Sequence, residues 1–231
     1  WENKQIREVA MSYNIAIDGP AGAGKSTIAK RVSAELTFIY VDTGAMYRAI
    51  ALYFLNNQIN TADLNGVKKA LDEIEIGIQY VDGEQRVLLN REDVSGRIRT
   101  EEVGNMASKA AALPCVREKL LELQRKLARE HDVVMDGRDI GTNILPDAQL
   151  KVYLTASTDT RANRRYKELR EKGIDCDLEE IKKDIEQRDY QDMHRETAPL
   201  MQAEDAVYLD SSDMTIDQVV EQIKLLAKQM R

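Results

Sequence analysis

Apolar and polar positions are arranged in several different ways along this chain, and each arrangement predicts a different kind of element. Asn14–Asp18 is a short, nearly unbroken apolar run that ends at a glycine-rich turn, as a strand buried on both faces requires. Lys25–Leu36 follows with apolar residues at helical spacing. Phe38–Val41 reads as a second strand, broken by Asp42-Thr43-Gly44, and Ala45–Asn57 as a helix with an apolar stripe. This βαβα order predicts a parallel sheet with helices on its faces.

The middle of the chain changes period. Ile74, Ile76, Ile78 and Tyr80 alternate with polar residues, Asp82-Gly83 is a hairpin-type turn, and Gln85–Leu89 supplies the partner strand. A small antiparallel insert is therefore expected, spanning residues 46–112 with its flanking helices. The α/β rhythm then resumes. Pro114 separates two helical stretches, and Val116–Glu130 is the second. Val133–Asp136 and Leu150–Thr155 read as buried strands. Two charged helices, Asp159–Lys172 and Leu178–Met193, meet at Gly173; Ala206–Asp210 is the last strand and a final helix runs to Met230. Asp177 with Glu180, and Thr215 with Gln218, have capping-box spacing at the starts of two of these helices. Residues 1–12 show no clean period and are set apart as a tag or an N-terminal extension.

Composition narrows the class. Of 231 residues, 43% are hydrophobic and 32% charged, enough for a packed core under a very polar surface. The net charge of -7 removes the global basic field that nucleic-acid binders carry, so no nucleic-acid partner is expected. No run approaches the ~20 apolar residues of a membrane span, and no secretory signal is evident. Cys115 and Cys176 lack metal or redox spacing and read as reduced thiols of a cytoplasmic chain. With only His131 and His194 present, a histidine-based zinc site or catalytic triad has little to build on.

The strongest chemical signal is Gly19-Pro20-Ala21-Gly22-Ala23-Gly24-Lys25-Ser26, followed by Thr27. It is a Gly-x-x-x-x-Gly-Lys-Ser phosphate loop between a predicted strand and a predicted helix, the context the motif needs. Glycines let the backbone wrap phosphate oxygens, and the free N–H groups at the helix start complement negative charge. Lys25 adds a point charge near the β- and γ-phosphates, and the Ser26 hydroxyl is the expected Mg²⁺ ligand. The guanine motif of GTPase switches is missing, since Asn3-Lys4 precedes the loop and lacks the following Asp. Small kinases remain.

Four further blocks carry a specific resemblance. They are Asp42-Thr43-Gly44-Ala45-Met46-Tyr47-Arg48, Asp136-Gly137-Arg138-Asp139-Ile140-Gly141-Thr142, Pro146-Asp147-Ala148, and last Arg188-Asp189 followed by Arg195, Ala198-Pro199-Leu200 and Ala203–Asp210. With Ile15–Thr27 ahead of them, the chain resembles the bacterial cytidylate kinases over roughly Tyr13–Met230. The resemblance implies a P-loop fold of class α/β with a five-stranded parallel core. It assigns residues 13–45, 113–156 and 198–231 to that core, 46–112 to a monophosphate-binding lobe and 157–197 to a mobile lid. It implies ATP with Mg²⁺ as phosphoryl donor system, CMP or dCMP as acceptor, and a monomer. It also implies that Ser108, Arg117 and Asp139 line the cytosine site, and that Arg188 and Asp192 contact the acceptor's sugar and phosphate.

The residue types fit phosphoryl transfer on their own terms. An acceptor phosphate with a second pKa near ~6 is already ionised at neutral pH and needs no strong base, whereas many oxygens need neutralising. Arg161, Arg164 and Arg165 share a helix face, as do Arg188, Asp192 and Arg195 if their helix continues that far. Arg161, Arg165, Arg195, Lys25 and Arg138 are the candidate catalytic cations; a solvated, ion-paired face is the alternative for the helical ones. Thr43, Tyr47 and Arg48 follow a strand end, where open α/β sheets place ligands. The alternative there is helix capping by Asp42 or Thr43, with Tyr47 in the core. Asp139 suits an amino group of cytosine, and a salt bridge to Arg138 is the structural alternative. Asp18 reads equally as a group near the metal or as a structural one. Kinases of other monophosphates and a non-catalytic nucleotide-binding regulator remain as competing functions.

Overall fold

The computed structural model describes residues 12–230, so all but Ser12 of the stretch 1–12, set apart above as a tag or an N-terminal extension, lies outside the described residues. In chain order the elements are β1 (Asn14–Asp18), α1 (Lys25–Leu36), β2 (Ile39–Asp42), α2 (Thr43–Asn56), α3 (Leu64–Asp72), β3 (Ile76–Val81), β4 (Glu84–Leu89), β5 (Glu92–Asp93), α4 (Glu101–Ala111) and α5 (Pro114–Glu130). They continue with β6 (Val133–Gly137), a π turn (Ile140–Ile144), β7 (Leu150–Thr155), α6 (Thr158–Glu171), α7 (Leu178–His194), β8 (Val207–Asp210) and α8 (Ile216–Gln229).

Five strands pair in the order β2-β6-β1-β7-β8, all parallel. Period-2 alternation sends β1 side chains into two separate cores. Ile15 and Ile17 pack with Ile28 and Val32 of α1 and with Val220 and Ile223 of α8. Ala16 faces the opposite core, shared with Met46 and Ile50 of α2 and Leu120 of α5. Both isoleucines are fully buried, and truncating either to Ala would cost about 2–5 kcal/mol. β3, β4 and β5 form a separate antiparallel sheet. Its turn residues Asp82 (φ 53°) and Gly83 (φ 78°) are both left-handed, the requirement of a tight hairpin turn. α6 and α7 pack on each other through Ala162, Ile181 and Ile185.

The fold class read from the sequence holds, and the differences in detail have local causes. β2 runs one residue further than read and α2 starts at Thr43 rather than Ala45. The Asp42 carboxylate accepts the Ala45 N–H and so nucleates the helix directly at the strand end. Of the two expected capping boxes, Thr215 and Gln218 make the reciprocal pair, while at α7 the Asp177 side chain accepts the Glu180 N–H. α7 ends at His194, and Arg195 leaves it with extended backbone (φ -67°, ψ 143°), so the helical continuation on which its shared face depended does not occur. The two-residue β5 carries no alternation that a sequence could display. The π turn depends on Asp18, half a chain away, whose two oxygens accept the N–H groups of Ile140 and Gly141 at 2.7 Å each.

Candidate active site

Every chemically distinctive loop emerges at the carboxyl end of a sheet strand. The phosphate loop follows β1, Asp42-Thr43 follows β2, Arg138-Asp139 follows β6, Ala156 follows β7 and Ser211 follows β8. The parallel register brings them level: Asp42 lies opposite Asp136, and Gly137 opposite Asp18. Between them opens a cleft of about 680 Å³ lined by Ala21–Ile28, Arg48, Arg99, Asp136, Arg138, Arg161, Arg164, Arg165 and Arg188.

The phosphate loop needs its glycines. At Gly19 an added Cβ would sit 1.9 Å from the Leu154 carbonyl oxygen, and Gly24 precedes α1 at φ 85°. No side chain caps the first turn of α1, so its amides face the cleft as an anion site. Lys25 is buried and donates to the Pro20 carbonyl at 2.7 Å. Burial first, and Arg138 second, push its ammonium down to about 7.

Ser26 and Asp136 form the oxygen pair beside this loop. The Ser26 hydroxyl donates to Asp136 Oδ2 at 2.9 Å, and Tyr40 donates to Oδ1 at 2.9 Å. Burial, then the nearby Asp42 charge, raise the Asp136 carboxyl to about 6. Asp136 stood inside a recognised motif without receiving a role. Its spacing to Ser26 exists only in the folded sheet, so the signal available was its place at the end of an apolar strand. Among the described residues no cluster of three or more His, Cys, Asp or Glu could hold a metal ion. A hydroxyl and a carboxylate still suit Mg²⁺, which prefers oxygen donors and completes its shell with water and substrate phosphate. Asp18, by contrast, is committed to the π turn, and its buried carboxyl is raised to about 6 by burial, partly offset by the two N–H bonds.

Behind the cleft lies a relay of alternating charge: Arg117, Asp139, Arg195, Asp192 and Arg138. Arg117 pairs with Asp139; Arg195 reaches Asp139 at 3.4 Å and Asp192 at 4.0 Å; Arg138 Nε donates to Asp192 at 2.8 Å. The anticipated alternative of an Arg138–Asp139 bridge is therefore corrected: each residue has a different partner. Three cations against two anions leave the relay net positive. Burial works against the Asp192 charge, but Arg138, Arg195 and Arg188 hold its carboxyl below the ordinary range. Arg48 is pushed down to about 10 by burial and by Arg188 and Arg99. Arg188 and Arg195 are shifted downward too, by burial and by like-charged neighbours. Cations held close together against their own repulsion and burial form a surface that an incoming polyanion stabilises.

The remaining candidates divide. Arg48 lines the cleft and donates to the Ile98 and Thr100 carbonyls. Thr43 is buried and donates to the Asp136 carbonyl at 2.7 Å. Tyr47 is buried with the Arg117 guanidinium 5.6 Å from its ring centre, so the capping and core alternatives for Asp42 and Tyr47 are both realised. Tyr47 and Arg117 line a second recess of about 380 Å³, with Thr142 and Asn143 of the π turn. Ser108, half-buried on α4, lines neither cavity. Arg161, Arg164 and Arg165 do share the cleft face. Arg161 is braced by the carbonyls of Ala21 (2.9 Å) and Ala156 (2.9 Å) and by Asp189 (2.7 Å). Arg164 donates to the Ser211 carbonyl, and exposed Arg165 pairs with Glu168. Arg99, which had no assigned role, joins the cleft and pairs with Asp42 at 2.6 Å. His194 stacks on Tyr190 at the surface.

The chain is similar to several known proteins. The cytidylate kinase family model matches residues 15–229. A cytidylate kinase of Lactobacillus johnsonii is 51% identical over 94% of this chain and 96% of its own length. One from Streptococcus pneumoniae is 51% identical over 94% of this chain and 98% of its own, and one from Caldicellulosiruptor saccharolyticus 50% identical over 91% and 93%. At the level of fold alone, an uncharacterized protein from Eubacterium ventriosum superposes with a TM-score of 0.51 at 15% identity, covering 94% of this chain and 99% of the other. Among the described residues no helix is long and apolar enough to cross a membrane.

Proposed function

The chain belongs to the cytidylate kinase family, and on that premise we propose how its cleft carries the γ-phosphoryl group of ATP to CMP. The enzyme is a CMP kinase; dCMP, which differs only at the sugar, is the second acceptor we expect. The observation that carries the residue roles is the facing of one phosphate loop and a crowded arginine surface across a single cleft.

Gly19–Thr27 hold the donor triphosphate through backbone N–H groups, and Lys25 follows its β- and γ-oxygens. Ser26 and Asp136 would hold Mg²⁺, which would supply positive charge to neutralise the donor phosphates. Arg48, Arg138 and Arg188 hold the acceptor phosphate, with Thr43 and Tyr47 below it. By family resemblance Ser108, Arg117 and Asp139 are assigned to the base, although Ser108 lines neither cavity in this structure, and Asp139 accepts from the cytosine amino group. Arg188 and Asp192 hold the sugar and phosphate region. Arg165 reaches the transferring group from α6, Arg195, assigned to catalysis by family resemblance, adds its charge from behind the cleft beside Asp139 and Asp192, and Arg161 acts by fixing the Ala21 carbonyl. The α6–α7 pair closes as a lid, because water competes as an acceptor. No side chain need remove a proton, since the acceptor phosphate is already ionised. We expect a monomer working in the cytoplasm.

The reading is tested by comparing wild type with Lys25→Ala. The variant should keep its circular dichroism and lose at least ~10²-fold in kcat. Full activity in a folded Lys25→Ala protein would remove the phosphate loop from the mechanism.

A further inference from the structure

β2 is an edge strand of the five-stranded sheet, so one row of its backbone groups has no neighbouring strand. Two side chains of the antiparallel insert occupy that row. The Tyr80 hydroxyl donates to the Tyr40 carbonyl at 2.9 Å. The Gln85 amide engages both backbone groups of Asp42: its Oε1 accepts the N–H at 2.8 Å, and its Nε2 donates to the carbonyl at 3.2 Å. Tyr40 and Asp42 are two residues apart, which is the spacing of groups on one edge of a strand. Tyr80 and Gln85 are directly opposite each other across the β3–β4 hairpin. One cross-strand pair therefore does the work of a missing strand at the point where β2 ends.

Asp42 is where several acceptor-side parts meet. Its Oδ1 caps α2, the helix that carries Thr43, Tyr47 and Arg48. Its Oδ2 takes the Arg99 guanidinium. Arg99 lies between Ile98 and Thr100, whose carbonyls hold Arg48. Moving the Asp42 backbone would shift the helix start, Arg99 and the seat of Arg48 together. On the donor side, the phosphate loop is held by Lys25 on the Pro20 carbonyl and by Arg161 on the Ala21 carbonyl, and among the described residues no hydrogen bond joins it directly to the hairpin; an indirect link runs from Tyr80 through Tyr40 and Asp136 to Ser26.

We propose that Gln85, assisted by Tyr80, is a positioning residue for the acceptor monophosphate, acting through Asp42 rather than by touching substrate. This rests on the assignment of the Arg48 side to the acceptor given above. A methionine at 85 keeps side-chain length and loses both bonds; a phenylalanine at 80 keeps the ring and loses one. Both positions are on the half-exposed hairpin, away from either main core.

The test is steady-state kinetics on the full-length enzyme for Gln85→Met, Tyr80→Phe and the double variant, with thermal unfolding alongside. Gln85→Met should raise KM for CMP about 5–10-fold, Tyr80→Phe about 2–3-fold, and the double variant more than either. KM for ATP should stay within twofold of wild type, with kcat within threefold. An unchanged KM for CMP, or KM values for CMP and ATP that rise together, would overturn the proposal. If wild type turns over CMP and only this split fails, the positioning claim falls. If ATP protects the Arg48 side of the cleft from CMP binding in competition, the acceptor assignment beneath it falls instead.

Discussion

Converting Asp139 to Asn is the sharpest perturbation of the charged relay. The carboxylate is almost wholly buried and takes Arg117 on one oxygen and Arg195 on the other, with the Asn143 amide at 3.1 Å as a third donor. Burial and Arg117 already push the Arg195 guanidinium downward, and the Asp139 carboxylate is the strongest influence opposing that shift. Removing its charge leaves two buried guanidinium groups facing one neutral oxygen. Breaking a buried ion pair on one side costs about 3–5 kcal/mol; the retained carbonyl acceptor puts Asp139→Asn near the lower end, about 3 kcal/mol. With a urea slope of about 2–3 kcal/mol per M, the unfolding midpoint should fall by about 1–1.5 M. Asp139→Leu with Arg117→Met removes charge from both sides and should unfold at higher urea than Asp139→Asn alone, because only Arg195, which keeps Asp192 at 4.0 Å, then loses a partner, instead of two guanidinium groups. Urea unfolding at pH 7.5 in 0.15 M salt reads both. A midpoint for Asp139→Asn within ~0.3 M of wild type, or a double variant weaker than the single one, would refute the view that Asp139 neutralises the relay.

Asp136→Asn should lower kcat about 10²–10³-fold and move the Mg²⁺ requirement to higher concentration, while Tyr40→Phe, which removes only a hydrogen bond, should do neither; a magnesium titration separates them. Arg161→Met should release the Ala21 carbonyl and raise KM for ATP about tenfold, with Asp189→Asn acting in the same direction but less, and with KM for CMP little changed. Asp18 gives a pH signature. Its folded pKa of about 6 lies above the ordinary 3.8, so its contribution is present in full below about pH 4 and is lost as pH rises through 6, a change of about 3 kcal/mol. The stability of wild type minus that of Asp18→Asn should therefore fall between pH 4 and 6.5 in urea titrations; a difference that is flat or rises over that window contradicts the burial of the acid.

What the chain made legible follows the range of the forces involved. Strands rich in apolar residues, such as Leu150–Thr155 with Lys151 as its one charged position, are legible to the residue because burial on both faces selects that composition. The hairpin was legible from Asp82-Gly83, since few residue pairs tolerate two left-handed conformations. Helix starts shifted where a cap came from the preceding strand, as at Asp42. The pairing of charges was not legible at all. Arg138 and Asp139 are neighbours in sequence, yet the strand end points them apart and each finds a partner more than fifty residues away. The same holds for Ser26 with Asp136, and for Gln85 with Asp42, which need the folded sheet before they meet. Motif residues thus located the site, while the contacts that position them came from register and crossover.

The central claim is tested most directly by ADP formation from ATP·Mg²⁺ with CMP, dCMP, UMP, AMP and GMP offered one at a time beside a control without acceptor. The account predicts rapid turnover with CMP and dCMP, little with AMP or GMP, and none without acceptor. Purine monophosphates used as well as CMP, or ATP consumed at the same rate without any acceptor, would contradict it.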